Sequence, residues 1–352
     1  MPTALPGTAT AIPSRCYPLV GAIRWDAWVG DLSPVGLAVE TRLAPKHRHY
    51  RLPLYGIEVS DTKVQVRANS QAVMDREIAY ASAAGLDYWA FVIYPEDNPM
   101  SLGLKLHLSS QRKSDIHFCL ILQGGFLGGP GIWADHFARY VGYFRDPMYQ
   151  TVLEGRPLVY LYVAYQMMAS RSFGSAQAAR KAIDELREAA LAPGVGNPYL
   201  VIQDWSYGRA WDLLKDLGGD AVGAYASGGR GKSGTYKDLA ADTQRWWDDF
   251  RNTGAQVVPL VSAGWDPRPR IEARDPGFHS GNSYYYEPPT PQELAGHLQA
   301  ALKWIKTHPE ATESNAVLIY AWNKTDEGGW LAPTLKEGAA RLDAIKIVLE
   351  QR

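Results

Sequence analysis

Cysteine is scarce. Cys16 and Cys119 are the only two in 352 residues, which excludes a disulfide framework and leaves two free thiols as the expectation. A leader is lacking as well. Met1–Arg15 is rich in Pro, Ala and Thr, with no basic stretch followed by a continuous apolar one, so it does not read as an intact signal peptide and is expected to be an irregular extension. The sequence as it stands reads as cytoplasmic, or as periplasmic or extracellular if a signal has been removed. No apolar run approaches the roughly 20 residues needed to cross a bilayer, which argues against a membrane-spanning chain. Charge of one sign is not in excess: 36 Lys and Arg face 37 Asp and Glu, so there is no basic field to gather a phosphate backbone, and no nucleic-acid partner is expected. His47 and His49 flank Arg48 beside Lys46 with no further ligands nearby, so a solvated basic loop is expected there rather than a metal site. Gly229-Arg230-Gly231-Lys232-Ser233 falls short of a phosphate-binding loop because Ala226 stands where a glycine is needed. Chemistry without metal or cofactor is the expectation.

What is present is a soluble globular composition, 46% hydrophobic and 21% charged, with a heavy aromatic load of 12 Trp and 20 Tyr. Eight short apolar runs recur: Leu19–Trp25, Tyr88–Tyr94, His117–Leu122, Leu158–Val163, Tyr199–Gln203, Ala221–Tyr225, Val257–Val261 and Ala316–Ala321. They are continuous rather than alternating, as parallel strands buried on both faces require. Helical patterns lie between them at about Ser70–Ala84, Trp133–Phe144, Ser175–Leu191, Gly208–Leu217, Tyr236–Asn252 and Pro291–Thr307, and a last one covers Thr334–Glu350. Gly85 and Gly254 mark helix ends, and Pro291 marks a helix start. This alternation predicts an α/β fold, a (β/α)8 TIM barrel forming one domain over residues 1–352, with an open doubly wound sheet as the alternative. Two connections, Trp28–Asn69 and Gly264–Pro289, are long, and both follow a strand, so they belong on the face where a barrel carries its chemistry.

Residues just past the strands are therefore the candidates: Arg24, Trp25 and Asp26; Glu96 and Asp97; Gln123; Tyr165 and Gln166; Asp204 and Trp205; Tyr225; Trp265 and Asp266; and Trp322 to Glu327. Carboxylates and indoles dominate. Hydrolysis of a glycosidic bond needs a proton donor for the leaving oxygen, a second group at the anomeric side, and aromatic walls for the sugar. Any one of these acids, taken alone, is more often a loop cap or a surface ion pair. Their clustering after consecutive strands is what favours a site.

Ala321-Trp322-Asn323 and Glu327-Gly328 resemble the A-W-N-E-W-x-E-G pattern of the GH99-like barrels, a group of endo-α-mannosidases and WbsX-like polysaccharide-associated proteins. Tyr143-Phe144-Arg145-Asp146-Pro147-Met148-Tyr149 with Glu154-Gly155-Arg156-Pro157-Leu158, the loop Gly264-Trp265-Asp266-Pro267-Arg268, and Met74 to Phe91 resemble three further motifs in the same order. Together they span about residues 70 to 335. The resemblance implies a glycoside hydrolase fold. It also implies two glutamates three apart, the second an acid and base at the glycosidic oxygen, the first assisting the substrate's 2-hydroxyl. The second position falls on Glu327 and the first on Lys324. A lysine cannot accept that proton as a carboxylate would unless burial strips its charge.

Three roles stay open for Lys324: orienting substrate while Asp326, Asp204, Asp266 or Asp26 supplies the second carboxylate, acting as a base of depressed pKa, or marking a barrel that only binds glycan. Hydrolysis of an α-linked oligo- or polysaccharide is the first expectation, with Glu327 as general acid kept neutral by Trp322 and Trp330. A binding protein without turnover and a polysaccharide lyase are the others. Trp25, Asp26, Glu96, Trp205, Tyr225, Trp265, Asp266, Trp322, Asn323 and Trp330 are the expected sugar-contacting residues.

Overall fold

The computed structural model describes residues 17–227, 231–275 and 284–352. The expected N-terminal extension, Cys16, Gly229 and Arg230 lie outside the described residues, as does part of the Gly264–Pro289 connection.

Eight parallel strands form the core: β1 (Leu19–Arg24), β2 (Tyr88–Val92), β3 (His117–Gln123), β4 (Arg156–Tyr162), β5 (Tyr199–Gln203), β6 (Ala221–Gly223), β7 in two pieces (Gln256–Val257 and Leu260–Ser262) and β8 (Ala316–Tyr320). The hydrogen-bonded order runs from the first piece of β7 through β6, β5, β4, β3, β2, β1 and β8 to the second piece of β7. Both edges of the sheet are thus the same strand, and the sheet is closed. Val258-Pro259 divides β7 because a proline has no N–H to give a ladder. The Val258 N–H still reaches the Val222 carbonyl at 2.9 Å, and the Pro259 carbonyl accepts from Leu318 at 3.1 Å, so the chain passes from one neighbour to the other without leaving the wall.

The strands are buried along nearly their whole length, which explains runs that are continuous rather than alternating. Inside the barrel the Tyr88 hydroxyl bonds the Tyr160 hydroxyl at 2.8 Å and the Val317 carbonyl at 3.1 Å. A Cβ at Gly21 would lie 2.2 Å from the Tyr88 ring, so only glycine leaves that space.

Helices follow the strands as the periodicity requires: α1 (Pro34–Leu43), α2 (Gln71–Ala83), α3 (Leu102–Ser109), α4 (Pro130–Phe144), α5 (Ala176–Leu191), α6 (Tyr207–Leu217), α7 (Tyr236–Arg251), α8 (Arg268–Glu272), α9 (Pro291–Thr307) and α10 (Ala340–Leu349). In α5 the residues Ala179, Ala182, Ile183, Leu186 and Ala190 are buried, the one-sided stripe of a helix lying on a sheet. Ser70, Ser175, Ser206, Thr235 and Thr290 cap their helices through side-chain oxygens, and Thr235 and Thr290 complete capping boxes with Asp238 and Glu293. α10 starts later than the expected Thr334, because Thr334 and Gly338 exchange backbone hydrogen bonds at 3.1 and 2.9 Å and hold that stretch as a turn.

The Trp28–Asn69 connection is built rather than loose. It contains α1 and an antiparallel hairpin of Gly56–Ser60 with Lys63–Val66. The expectation of a solvated basic loop at His47–His49 is corrected here. Arg48 and His49 are buried. Arg48 donates to the Arg42 carbonyl at 2.9 Å and pairs with Glu272, while His49 sits 2.8 Å from the Ala44 carbonyl and 3.0 Å from Glu58.

Gly264 holds the turn after β7 at φ +133°, and a Cβ there would stand 2.2 Å from the Gly328 carbonyl oxygen. Both the backbone angle and the space forbid a side chain. Gly264→Ala is therefore expected to cost at least about 2 kcal/mol of stability. A thermal melt of the variant indistinguishable from that of the parent would contradict this account of the turn.

Candidate functional site

Barrel geometry brings the residue after each strand to one end, and the end of β8 supplies the centre. Tyr320 is the last residue of β8. Asn323 and Lys324 then pair with Gly329 and Trp330 in a small antiparallel turn that presents Glu327. The Glu327 carboxylate is buried and has three partners. Its Oε1 is 2.8 Å from Lys324 Nζ and 2.8 Å from Arg270 Nη2, and its Oε2 accepts the Tyr320 hydroxyl. Burial alone would raise its pKa, but Arg270, Lys324 and the hydrogen bonds outweigh that and hold it down to about 2. For Lys324 the balance falls the other way: burial lowers its pKa against the pull of Glu327.

The Trp25 ring lies beneath two cations, with Lys324 Nζ 3.9 Å and the Arg270 guanidinium carbon 4.9 Å from its centroid. Its position is set from two sides. The Trp25 N–H donates to Asn323 Oδ1 at 2.9 Å, and its indole Nε1 donates to the Tyr94 hydroxyl at 2.8 Å. Asp26, next along, accepts Arg24 Nε at 2.9 Å and is also bonded by Asn323. Burial, supported by the nearby Glu77 charge, outweighs those bonds and lifts Asp26 to about 6.

An aromatic wall continues from Glu327. Tyr225 stacks on Tyr162 with centroids 4.2 Å apart, Tyr225 and Trp265 each lean on Tyr320 at 5.9 and 6.0 Å, and Trp205 meets Tyr162 edge-on at 5.4 Å. Trp205 is exposed, and Trp265 is half-buried.

Of the residues expected at the site, Trp25, Asp26, Tyr225, Trp265, Asn323, Lys324 and Glu327 come together. Others do not. Trp322 is fully buried and gives its Nε1 proton to Glu77 at 2.9 Å, while Trp330 is buried with the Arg341 guanidinium 3.9 Å from its ring centre. The expected apolar shield that keeps Glu327 neutral is therefore corrected: the groups that contact the carboxylate are two cations and a phenol. Asp326 is fully buried between Arg42 Nη1 at 3.0 Å and Arg270 Nε at 2.8 Å. Asp266 is held by Arg51 and by Arg268 at 2.8 Å, which lower its pKa against burial. Asp204 accepts the Ser206 N–H at 2.8 Å and Arg209 Nε at 2.8 Å, so it serves the start of α6. Glu96 is exposed at the rim.

Arg42, Arg51 and Arg270 were not among the residues expected from the sequence. Arg42 and Arg51 come from the excursion after β1, and Arg270 comes from α8. Only Arg268 and Arg270, alternating with prolines directly after Trp265-Asp266, carried a local signal. Tyr320 lies inside an apolar strand and carried none.

The charge states have opposite consequences for stability. Asp26, raised from 3.8 to about 6, contributes stability that is present below pH 3.8 and lost as the pH rises through about 6. Glu327, lowered from 4.5 to about 2, contributes stability that is present above pH 4.5 and lost as the pH falls towards 2. Carboxyl-carbon NMR on glutamate-labelled protein, with the signal assigned by its loss in Glu327→Gln, should show no titration of Glu327 between pH 4 and 8. Lys324→Met should move its midpoint upward. A midpoint above pH 4 in the parent protein would overturn this assignment of charge.

No protein-family model and no curated protein matches the chain. Two solved structures of the GH99 endo-α-mannosidase from Bacteroides thetaiotaomicron do. One, in complex with bis-tris-propane, superposes with a TM-score of 0.62 at 12% identity, covering 94% of this chain and 96% of that one. The other gives 0.59 at 11%, with the same coverage. At such identities the likeness is one of fold, and the chain has the (β/α)8 fold of that glycoside hydrolase over nearly its whole length.

Proposed function

We propose that this barrel recognises an α-linked oligo- or polysaccharide at the carboxyl end of its strands and holds it without cleaving it. The observation that carries the reading is the state of Glu327. A general acid must bring a proton to the leaving oxygen. A carboxylate paired at 2.8 Å with both Lys324 Nζ and Arg270 Nη2, its pKa held well below the usual range, keeps its negative charge at neutral pH. Arg270 and then Lys324 are the causes, and at the second of these places a carboxylate would push the Glu327 pKa up by like-charge repulsion, whereas the ammonium pushes it down. Paired with Glu327, Lys324 is also poorly placed to serve as the base of an elimination.

Recognition suits what is present. An ammonium has three donors, and Lys324 spends one on Glu327, leaving two for sugar hydroxyls. The half-buried Trp265 and the exposed Trp205 offer flat faces to the apolar sides of pyranose rings, with the buried Trp25 and Tyr225 beside them. That the structural neighbours are an endo-α-mannosidase supports the α-linked class.

Asp26 favours a second reading, in which the barrel hydrolyses its ligand. This carboxyl sits beside Trp25 and, at about 6, holds a proton in a substantial fraction of molecules near neutrality. It would then be the acid, with ionised Glu327 stabilising positive charge at the anomeric carbon.

A panel of defined α-linked oligosaccharides, followed by calorimetry and reducing-end assay, separates the two. Binding without release of reducing ends is expected, with Trp265→Ala or Trp25→Ala weakening affinity roughly tenfold. Release that is lost in Asp26→Asn and strongly weakened in Glu327→Gln would replace the first reading by the second. Absence of binding to any member of a panel covering mannose, glucose, galactose and fucose linkages would sink both.

A further inference from the structure

Resting on the carbohydrate reading above, we infer that the glycan carries an acidic substituent, a carboxylate or a sulfate ester, and that Arg139 on α4 receives it. The inner site does not ask for such a group. There Arg42, Arg270 and Lys324 are balanced by Asp275, Asp326 and Glu327 through contacts of 2.5 to 3.4 Å, so an uncharged part of the sugar suits it. Arg139 differs. It is half-buried, no carboxylate lies within 4 Å of its guanidinium among the described residues, and its Nε is buried with no hydrogen-bond partner. Its guanidinium carbon lies 5.3 Å from the ring centre of Tyr140. A buried N–H donor without an acceptor is costly, and an oxygen anion brought from outside would satisfy Nε and meet the charge together.

Two narrow crevices, each with room for about 10 Å³, meet at Arg139 on either side of Tyr94. The first contains Asp26 and Glu96, which repel an anion. The second, lined by Tyr94, Gln123, Phe126, His136 and Tyr140, contains no carboxylate. His136 Nδ1 lies 3.0 Å from the Leu127 carbonyl and so is its donor. Space of that size takes one water-sized atom, a single oxygen of a carboxylate or sulfate, and not a pyranose ring. The position also fits a chain of sugars. The Tyr94 hydroxyl accepts the Trp25 Nε1 proton and its ring leans on the exposed Phe126 at 5.7 Å, so a glycan leaving the Trp25 platform passes along Tyr94 and Phe126 and brings a substituent to Arg139.

The test compares matched ligands by calorimetry: an α-1,4-oligogalacturonide against its carboxyl-reduced form, and a sulfated α-linked fucose oligosaccharide against its desulfated form. In the parent protein one acidic member should bind about tenfold or more tighter than its neutral counterpart, and added salt should erode the difference. The pair that shows the preference identifies carboxylate or sulfate as the group. Arg139→Gln should abolish the preference while leaving affinity for the neutral member unchanged, and Arg139→Lys should retain part of it. Equal binding of acidic and neutral members in the parent would overturn the inference and leave the carbohydrate reading standing. Equal loss for both members in Arg139→Gln would make Arg139 structural and overturn it as well. Failure of every ligand, neutral and acidic, in the folded parent would end both.

Discussion

A charge taken out of water has to meet an opposite one, and the mouth of this barrel is arranged around that requirement. Glu327, Asp326 and Asp275 stand against Lys324, Arg270 and Arg42, with Arg270 touching all three acids. Removing one member of such a set typically costs 3–5 kcal/mol, roughly, because the remainder is stranded in a poorly solvating place. The set therefore persists as a unit. A carboxylate gripped by an ammonium and a guanidinium is a fixed negative pole, and its neighbours are donors already oriented towards acceptors. The same pairing extends sideways, where Arg51 and Arg268 hold Asp266 and Arg24 joins Asp26 to Glu77.

The strands were legible because a barrel wall leaves no face for polar residues, so each strand appears as an unbroken apolar run. Seven of the eight match their expected position closely. In β7 the expected run Val257–Val261 is real but interrupted, since the missing N–H of Pro259 opens the ladder at that point. The helices α1, α3 and α8 were not legible, being short segments inside connections and lacking a long periodic pattern. At the site, the positions of Trp25, Asp26, Trp265, Asn323 and Glu327 could be read from their place after strands. Their electrostatic state could not. It depends on Arg42, Arg51 and Arg270, which nothing local ties to Glu327, Asp326 or Asp266. Trp322 illustrates the complementary error. Its place in a motif suggests a sugar wall, but two residues past β8 the side chain turns inward to Glu77, which needs a donor because it is buried.

Where the paired charges sit along the chain bears on how the molecule is made. Trp25 is fixed by Asn323 across 298 residues, Arg42 by Asp326 across 284, and Arg51 by Asp266 across 215. A chain emerging from its amino end exposes all three long before their counterparts exist. Contacts of such span pay a large loop-closure entropy and form late. The mouth can therefore be completed only when β8 arrives to shut the wall, and a chain stopped short of β8 would leave an open sheet edge and Arg42 and Arg270 without Asp326, a form that folding helpers and proteases readily distinguish from the finished barrel.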